Sequence, residues 1–393
     1  MNQIIFRLSE VSKLYAGGDA PKEVSSDRTD EFCYPIFSNG LDNEGLYGYS
    51  KKATMKSNTI TVSARGTIGA AFYRKEPFLP IVRLITIEPN EQKINSWYLY
   101  YYLLMNKLEG YGTSQQQLTI PFMKKKKVLI FENIEYQKKI AIILYNYDQL
   151  IENNNKRIKL LEQIAEELYK EWFVRFRFPG YEKTCFVDGI PEGWKYKKFS
   201  KCFNTSRGIS YSSEEIECEG GMNLINLKNI QSYGGFRRDG TKKYSGKYKK
   251  DQTVKYKDLI MGVTDMTQDR RTIGHVALVP NIEGVISADL IKLDSDINNL
   301  FWYCLFRYGF YSKMFSQFGN GANVIHLKPQ SIKNQKILVP ILELIEKFVK
   351  KVELIIDEIE ILNAKNELLA EQRDLLLPRL MSGKIDLEDK EVI

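Results

Sequence analysis

One stretch of the sequence alternates positive charges with aromatic rings. Residues 236–257, FRRDGTKKYSGKYKKDQTVKYK, contain nine Lys or Arg, two Asp and four aromatic residues. This composition is typical of a surface that contacts phosphate groups. The net charge of +8 is compatible with a polyanionic partner. A solvated basic loop without a ligand is the alternative interpretation.

Cations that could contact a polyanion occur in both halves of the chain. In the second half the candidates are Arg207, Arg237, Arg238, Lys242, Lys243, Arg270 and Arg271. In the first half they are Lys51, Lys52, Lys56 and Arg65. The lysine run at 124–127 is equally typical of a solvated strand edge.

Amide side chains recur beside glycines at two related places. GTSQQQ at 112–117 supplies Gln115, Gln116 and Gln117, and GNGAN at 319–323 supplies Asn320 and Asn323. Together with Arg, such side chains can donate and accept two hydrogen bonds at once on a base edge. The sequence therefore predicts base contacts here, although ordinary turn-forming loops would have the same composition.

Residues for catalysis are scarce. The chain has two histidines, His275 and His326, and both lie in apolar, strand-like surroundings that favour packing over catalysis. Neither GxxxxGK[ST] nor a GxGxxG after a strand occurs, and the Asn/Asp-Pro-Pro-aromatic tetrapeptide of amino-methyltransferases is absent. The five cysteines never form CxxC, which predicts reduced thiols in the cytoplasm and no zinc site. We expect a protein that binds without catalysing, without a signal peptide or membrane span.

These candidate residues lie on two copies of one unit. RGTIG at 65–69 is echoed by RRTIG at 270–274, and WYLYYYLL at 97–104 by WYCLFRYG at 302–309, in both cases 205 residues later. YGTSQQQLTI at 111–120 and FGNGANVIHL at 318–327 repeat at 207 residues, and Glu162-Gln163 and Glu371-Gln372 at 209. Four ordered matches at a nearly constant offset indicate an internal duplication. Strand-like runs such as NTITVSA (58–64) and HVALVP (275–280) predict a mixed α/β globular part in each copy.

A long helix is predicted to follow each globular part. Apolar residues alternate at spacings of four and three, as in the a/d seam of a coiled coil. The first seam consists of Ile140, Leu144, Tyr147, Ile151, Asn154, Ile158, Leu161, Ala165, Leu168 and Trp172. The second consists of Phe348, Val352, Ile355, Ile359, Leu362, Asn366, Leu369, Arg373, Leu376 and Leu380. Two amphipathic helices that pack only on their own domains are the alternative.

An antiparallel pairing of the two helices satisfies their polar seam residues. With flush ends, residues whose numbers add up to 520 face each other, so that Asn154 meets Asn366 and Arg373 lies opposite Tyr147. A parallel pairing would instead leave both amides facing aliphatic residues, at a cost of roughly 1–3 kcal/mol for each unpaired amide. Asn154 and Asn366 are therefore the predicted register residues. A helix from 140 to 172 is roughly 48 Å long, which suits two DNA half-sites about 34–36 Å apart.

The order of these motifs resembles the specificity (S) subunits of type I restriction-modification enzymes. LLEQIAEELYKEWFVRFRFPG (160–180) and LLAEQRDLLLPRLMSGKIDL (368–387) look like that family's central and C-terminal regions. SARGTIG (63–69), YGTSQQQLTIPF (111–122) and IPEGWK (190–195) are similarly placed phrases. The resemblance implies two α/β target recognition domains, each recognising half of a split double-stranded DNA site, separated by an antiparallel coiled coil. The implied boundaries are 1–133, 134–178 for the central helix, 179–338, and 339–393 for the C-terminal helix and tail.

The resemblance also implies partner proteins. Two modification (methyltransferase) subunits would dock on the helices and restriction (endonuclease) subunits could join, supplying chemistry that uses S-adenosylmethionine, ATP and Mg²⁺; no cofactor is expected in this chain. The docking candidates are Glu166, Lys170, Glu171, Trp172, Glu367 and Glu371. Two alternatives remain at this stage, namely a fused restriction-modification fragment with its own activity and a coiled-coil adaptor that binds only protein.

Overall fold

The computed structural model describes residues 2–108, 117–217 and 220–387. The chain divides into two compact units, and this division cuts across both long helices. The first unit combines Met1–Asn153 with Lys365–Ile393, and the second unit is Asn154–Ala364. Each unit thus contains a globular part together with half of each long helix.

The first unit contains the strands and helices of the first repeat. Its strands are β1 (Gln3–Arg7), β2 (Ser12–Ala16), β3 (Tyr34–Phe37), β4 (Leu46–Ser50), β5 (Thr59–Val62), β6 (Ala71–Arg74), β7 (Leu79–Pro80), β8 (Ile85–Pro89) and β9 (Lys127–Phe131). Its helices are α1 (Leu8–Val11), α2 (Ser96–Met105), α3 (Ile120–Lys125) and the start of α4 (Ile134–Tyr169).

Two sheets and a strand pair form the first globular part. Within the described residues, one sheet has the order β2-β8-β5-β6 and is antiparallel throughout. The other has the order β4-β3-β7, with β3 parallel to β7, while β1 pairs with β9. The strand β5 is TITV, whose β-branched side chains suit a buried sheet, and all four residues are buried. Helix α2 packs on this sheet and is capped at its N-terminus by Asn95, whose side chain accepts a hydrogen bond from the Tyr98 amide.

The second unit contains more strands. They are β10 (Phe186–Val187), β11 (Ile190–Pro191), β12 (Lys195–Lys198), β13 (Asn204–Arg207), β14 (Ile216–Glu217), β15 (Met222–Ile225), β16 (Lys242–Tyr244), β17 (Thr253–Val254), β18 (Leu259–Gly262), β19 (Thr264–Asp265), β20 (Val276–Leu278), β21 (Gly284–Ile286), β22 (Leu290–Asp294), β23 (Ile325–His326) and β24 (Lys336–Val339). Its helices are α5 (Phe199–Cys202), α6 (Asn299–Tyr308), α7 (Tyr311–Ser316), α8 (Pro329–Ile332) and the start of α9 (Leu342–Met381).

The second globular part repeats the strand pairing of the first. The sheet β13-β22-β18-β20 corresponds to β2-β8-β5-β6, and the pair β12-β24 corresponds to β1-β9. In the sheet β14-β16-β15-β21-β17, the parallel pair β15-β21 corresponds to β3-β7. Helix α6 packs on β18 and β20 and is capped at its N-terminus by Asn298, whose side chain accepts a hydrogen bond from the Leu300 amide. The predicted duplication and the mixed α/β class are confirmed.

Helices α4 and α9 bury the predicted seams. None of the twenty seam residues is exposed; nine are buried, and the rest are half-buried. In the first unit, Ile140 and Leu144 share a hydrophobic core with Leu377 and Leu380. In the second unit, the α4 residue Ala165 lies in one core with Phe348 and Val352 of α9.

The two helices pair in opposite directions within each unit. In the first unit, Asp148 from the first half of α4 forms an ion pair with Arg373 from the second half of α9 at 2.6 Å. In the second unit, the Trp172 ring, just after α4, lies 5.7 Å from that of Phe348 near the start of α9. Trp172 and Phe348 are seam partners in the register that sums to 520, and Asp148 is one residue from the predicted partner of Arg373. The antiparallel prediction is confirmed.

The register residues belong to different units. Asn154, in the second unit, is 9% exposed, and Asn366, in the first, is half-buried. The proposed pairing of their amides stays a prediction, as do the predicted domain boundaries.

The Asp148 carboxylate connects both helices to the first globular part at one point. It accepts hydrogen bonds from the Tyr101 hydroxyl of α2 at 2.6 Å and from Arg373 of α9 at 2.6 Å. Replacing Asp148 with Ala would leave the buried Tyr101 hydroxyl and the half-buried Arg373 guanidinium without this acceptor. We expect the free energy of unfolding to fall by about 3 kcal/mol, measured by urea denaturation followed by circular dichroism.

Glu135→Ala is the matched control for Asp148→Ala. Glu135 also pairs with a cation, Lys138, but both side chains are largely exposed. This substitution should change the unfolding free energy by less than about 0.5 kcal/mol. Equal losses in the two variants would contradict a special role for Asp148.

Candidate nucleic-acid interface

The repeated RGTIG and RRTIG motifs form one loop at the same position in each unit. We call residues 63–70, between β5 and β6, the first arginine loop, and residues 263–275, between β18 and β20, the second arginine loop. The motif glycines Gly69 and Gly274 have φ values of +81° and +76°. A Cβ at these positions would lie 2.2 Å from the Leu108 carbonyl oxygen and 2.8 Å from the Ser316 amide nitrogen. Only glycine fits this left-handed, close approach, which explains why both copies of the motif end in glycine.

In the first unit the arginine loop lies beside the predicted amide residues. The Arg65 guanidinium donates to the Gln117 side-chain oxygen at 3.2 Å, and the Leu118 amide donates to the Ala64 carbonyl at 3.0 Å. Arg65 is exposed. Gln115 and Gln116 lie outside the described residues. The structure therefore brings together an arginine and a glutamine that are 52 residues apart.

The second unit places its arginine loop in the same way. The Leu327 amide donates to the Val263 carbonyl at 2.8 Å, and Gln268 donates to the Ala322 carbonyl at 2.7 Å. Ala322 lies between the exposed residues Asn320 and Asn323. The predicted arginine and amide residues of the second unit thus lie on adjoining loops.

The two loop arginines of the second unit are held differently. Arg270 donates to the Ser316 carbonyl at 3.0 Å and is half-buried, whereas Arg271 pairs with Asp269 and is exposed. An exposed ion pair of this kind contributes little to stability. Arg271 can therefore leave the Asp269 carboxylate and bind a phosphate group at a small cost in free energy.

The predicted lysines of the first unit have carboxylate partners or open surroundings. Lys51 pairs with Glu23 and Glu31, at 2.6 and 2.8 Å, and these hydrogen bonds raise its pKa. Lys56 pairs with Glu88 at 2.7 Å, and this bond raises the pKa of Lys56. Lys52 is exposed.

Part of the basic run at 236–257 faces the protein and not the solvent. Arg238 pairs with Glu360 of α9, and Lys257 pairs with Glu353 and Asp357 of the same helix, both at 2.8 Å. The Tyr256 hydroxyl donates to Asp357 at 2.7 Å. These contacts fix the second globular part to α9.

Sequence reasoning missed this function of α9. Glu353, Asp357 and Glu360 are spaced by four and three residues and so lie on one helix face. That acidic face was a signal that a basic segment of the same chain packs on it. A cleft of about 320 Å³ remains between this face, α4 and the basic run, lined in part by Glu162, Arg237 and Arg238.

The other predicted cations of the second unit lie at its surface. Arg237 pairs with Asp239 at 2.6 Å, and Lys243 donates to the Asn223 side chain at 3.0 Å. Arg207 donates to the Ala288 carbonyl at 3.0 Å. Arg207, Arg237 and Lys242 are exposed. Arg207 ends strand β13, and Lys242 and Lys243 belong to strand β16, whereas Arg270 and Arg271 lie beside the Asn-containing loop.

One docking prediction is wrong. Trp172 is only 5% exposed, because its ring packs against Phe173 and Phe348 in the core of the second unit. It therefore stabilises that unit and does not present a surface to a partner. Among the other docking candidates, Glu166 pairs with Lys170 at 2.7 Å, and Glu171 pairs with Arg175. Glu367 and Glu371 are exposed.

The described part of the chain contains neither a cluster of potential metal ligands nor a helix suited to span a membrane. There, three or more His, Cys, Asp or Glu residues do not come close enough to hold a metal ion. Over the same residues, helices long and apolar enough to cross a bilayer are lacking.

Fold and site together define a class of protein. Each unit has the same strand pairing, an arginine loop anchored by a left-handed glycine, and amide side chains on the adjoining loop. Arg, Gln and Asn at such positions can form paired hydrogen bonds with base edges. The chain is an internally duplicated binding protein of the kind that recognises nucleic acid at two places.

Comparison with known proteins identifies the family. The model of the type I restriction modification DNA specificity domain matches residues 3–163 and 191–371. The type I restriction enzyme MjaIX specificity subunit of Methanocaldococcus jannaschii is 26% identical over 96% of this chain and 89% of its own length. The putative type I specificity subunit S.MpnORF507P of Mycoplasma pneumoniae is 34% identical over 43% of this chain and 48% of its own length.

A solved structure shares the fold. The S subunit of a type I restriction-modification system from M. genitalium matches with a TM-score of 0.63 and 18% identity, over 97% of this chain and 96% of that one. The chain belongs to the family of type I restriction-modification DNA specificity subunits. The family prediction made from the sequence is confirmed.

His275, at the end of the second arginine loop, provides a pH test of this site. The imidazole is 8% exposed and lies edge-on to the Tyr233 ring at 5.7 Å. Burial, and then the charge of Arg307, lowers the pKa of His275 to about 4. Between about pH 6.5 and 4 the unfolded chain therefore binds a proton that the folded unit does not. The stabilising contribution of neutral His275 is present above pH 6.5 and is lost as the pH falls towards 4.

We expect His275→Gln to remove this pH dependence. The unfolding free energy of the wild type minus that of the variant should decrease by about 3 kcal/mol from pH 7 to pH 4, because only the wild type has a buried group that binds a proton on unfolding in this range. Urea denaturation at both pH values measures it, and the subtraction cancels all other titrating groups. A difference that does not change with pH would show that the ring is solvated in the folded protein.

Proposed function

We propose that this chain determines the DNA sequence recognised by a type I restriction-modification complex, with each unit recognising one half of a bipartite double-stranded target. The pairing of an arginine loop with adjoining amide residues in both units carries the proposal. Arg65 with Gln117, and Arg270 and Arg271 with Asn320 and Asn323, are the residues assigned to base or phosphate contact. The loops share a frame but differ in side chains, as expected of two sites that recognise different sequences.

The chain acts without catalysing. Its sequence lacks the phosphate-binding and methyltransferase motifs that such reactions require, so the chemistry and the use of S-adenosylmethionine, ATP and Mg²⁺ belong to partner subunits. The antiparallel helices set the spacing between the half-sites.

The modification subunits dock on the outer faces of α4 and α9. Besides the charged residues Glu166, Lys170, Glu171, Glu367 and Glu371, α9 exposes an apolar residue at every seventh position. These are Leu354 and Ile361 in the second unit and Leu368 and Leu375 in the first, with exposures of 74, 47, 58 and 63%. This heptad spacing suits the helix of a partner better than it suits water.

Methylome sequencing of cells that express the chain with its modification subunit tests the recognition proposal. We expect a split motif with two defined halves. Replacing residues 185–335 with the corresponding segment of another family member should change one half only. Altered sequence in both halves would contradict independent recognition by the two units.

Arg65→Ala tests the first arginine loop. Because Arg65 is exposed and its side chain contacts only a neighbouring loop residue in the described structure, the fold should be retained. We expect discrimination in one half of the motif to weaken by about 1–3 kcal/mol, while the other half is unchanged. Binding assays on duplexes with single base-pair substitutions in each half measure this. Uniform weakening on all sequences would instead assign Arg65 to phosphate contact.

Leu354→Glu tests docking on α9. The substitution places a charge on an exposed apolar position and should weaken binding of the modification subunit at least tenfold, about 1.4 kcal/mol. Leu41→Glu is the matched control, because Leu41 is 59% exposed but lies in the first globular part. Isothermal titration with the purified modification subunit measures both. Equal affinities in the two variants would exclude this face of α9.

A further inference from the structure

The two arginine loops differ in length at a defined point. In the first unit Val62 pairs with Ala71, nine residues later, whereas in the second unit the corresponding Met261 pairs with Val276, fifteen residues later. The second loop is therefore six residues longer. Ala64 and Val263 occupy equivalent positions, because each carbonyl accepts a hydrogen bond from a leucine amide of the adjoining loop. Arg65 and Arg270 are also equivalent, because each begins the repeated motif. The additional residues therefore lie between Val263 and Arg270 and are 264–269, TDMTQD.

A buried carboxylate organises these additional residues. Asp265 is 1% exposed, and its two oxygens accept five hydrogen bonds. The amide and hydroxyl of Thr267 donate to Oδ1 at 2.8 and 2.7 Å. The amide and hydroxyl of Thr272 donate to Oδ2 at 2.6 and 2.8 Å, and the Ile273 amide donates to the same atom at 3.2 Å.

These hydrogen bonds favour the charged form of the Asp265 carboxylate. Burial by itself raises the pKa of Asp265, but the hydrogen bonds from Thr272 and Thr267 outweigh it and leave the pKa below its usual value. Five donors around one anion close the loop at both ends, since Thr267 and Thr272 lie on opposite arms. An insertion that would otherwise sample many conformations is thereby held in one.

The ordered insertion presents side chains to solvent beside the Asn-containing loop. Met266 is 75% exposed, the most exposed of the large hydrophobic residues that the structure describes. Gln268 bridges to the Ala322 carbonyl, which ties the insertion to the loop that carries Asn320 and Asn323. Met266 therefore projects from a rigid base, next to residues already assigned to DNA contact.

We propose that residues 264–269 are a specificity-determining extension of the second unit, in which Asp265 is the positioning residue and Met266 contacts base edges of double-stranded DNA. This inference rests on the proposed function and deepens it. The flexible, polarisable Met266 side chain suits an apolar contact such as the C5 methyl group of thymine. The first unit lacks the insertion, so the extension affects only the half-site recognised by the second unit.

The test uses the full chain with its modification subunit and compares wild type, Met266→Ala, Asp265→Asn and the control Leu41→Ala. The readout is the methylation rate on duplexes with single base-pair substitutions in each half-site. We expect Met266→Ala to reduce discrimination at one position of the second half by about fivefold, near the lower end of the effect of a single base-pair mismatch. Asp265→Asn turns amide hydrogens towards backbone donors, and should reduce discrimination about tenfold or more across that half. Leu41→Ala should change neither half.

The outcomes separate this inference from the proposed function. If the wild type methylates no bipartite target, the proposed function fails, and the inference fails with it. If the wild type has a bipartite target but Met266→Ala and Asp265→Asn leave the second half unchanged, only the inference is overturned. Should Asp265→Asn unfold the second unit, Met266→Ala decides alone, because so exposed a side chain contributes little to folding. Loss of discrimination in the first half by either variant would also overturn the inference.

Discussion

The burial of the α4 seam against α9 is the constraint on which both units depend. Each globular core is completed by residues from both helices: Ile140 and Leu144 with Leu377 and Leu380 in the first unit, and Ala165 with Phe348 and Val352 in the second. Separating the helices would expose these residues to water, which costs a free energy of about 25 cal/mol for each Å² of apolar surface. The start and the end of the chain must therefore fold together. The Gln3 side chain donates a hydrogen bond to the Met381 carbonyl at 2.8 Å and so connects the first strand directly to the end of α9.

After duplication of such a unit, the strand pairing and the glycines that the fold requires form a frame that must stay the same in both copies. The loops between the strands can differ between the copies. Gly69 and Gly274 belong to the frame, because any side chain there would collide with backbone atoms. The lengths of the arginine loops do not, since the second has accommodated six additional residues without altering the pairing of β18 with β20. The additional loop is compatible with the frame only because it satisfies its own polar groups through Asp265. Specificity can thus change at one half-site while the helices and the other unit are preserved.

The sequence predicted those features that depend on local periodicity. The seam residues predicted from the heptad spacing are buried or half-buried in the structure. The facing rings of Trp172 and Phe348 agree with the predicted antiparallel register at that position. The strands predicted around residues 58–64 and 275–280 are β5 and β20. Periodicity placed Trp172 in the seam, and the structure buries it there. The wrong docking assignment of Trp172 came from the family resemblance, which could not show whether this end of the helix faces a partner or the core.

Contacts between residues distant in sequence were beyond prediction, and they change the electrostatic interpretation. Composition alone suggested that the cations of 236–257 face a polyanion. Yet Arg238 lies against Glu360, 122 residues away, and Lys257 against Glu353 and Asp357. A cation that is already paired with a carboxylate of the same chain contributes little free energy to phosphate binding, because the carboxylate already neutralises its charge. The surface available to DNA is therefore narrower than the basic composition suggests. It is concentrated on the arginine loops and the exposed residues around them, where side-chain identity, and not net charge, can distinguish one sequence from another.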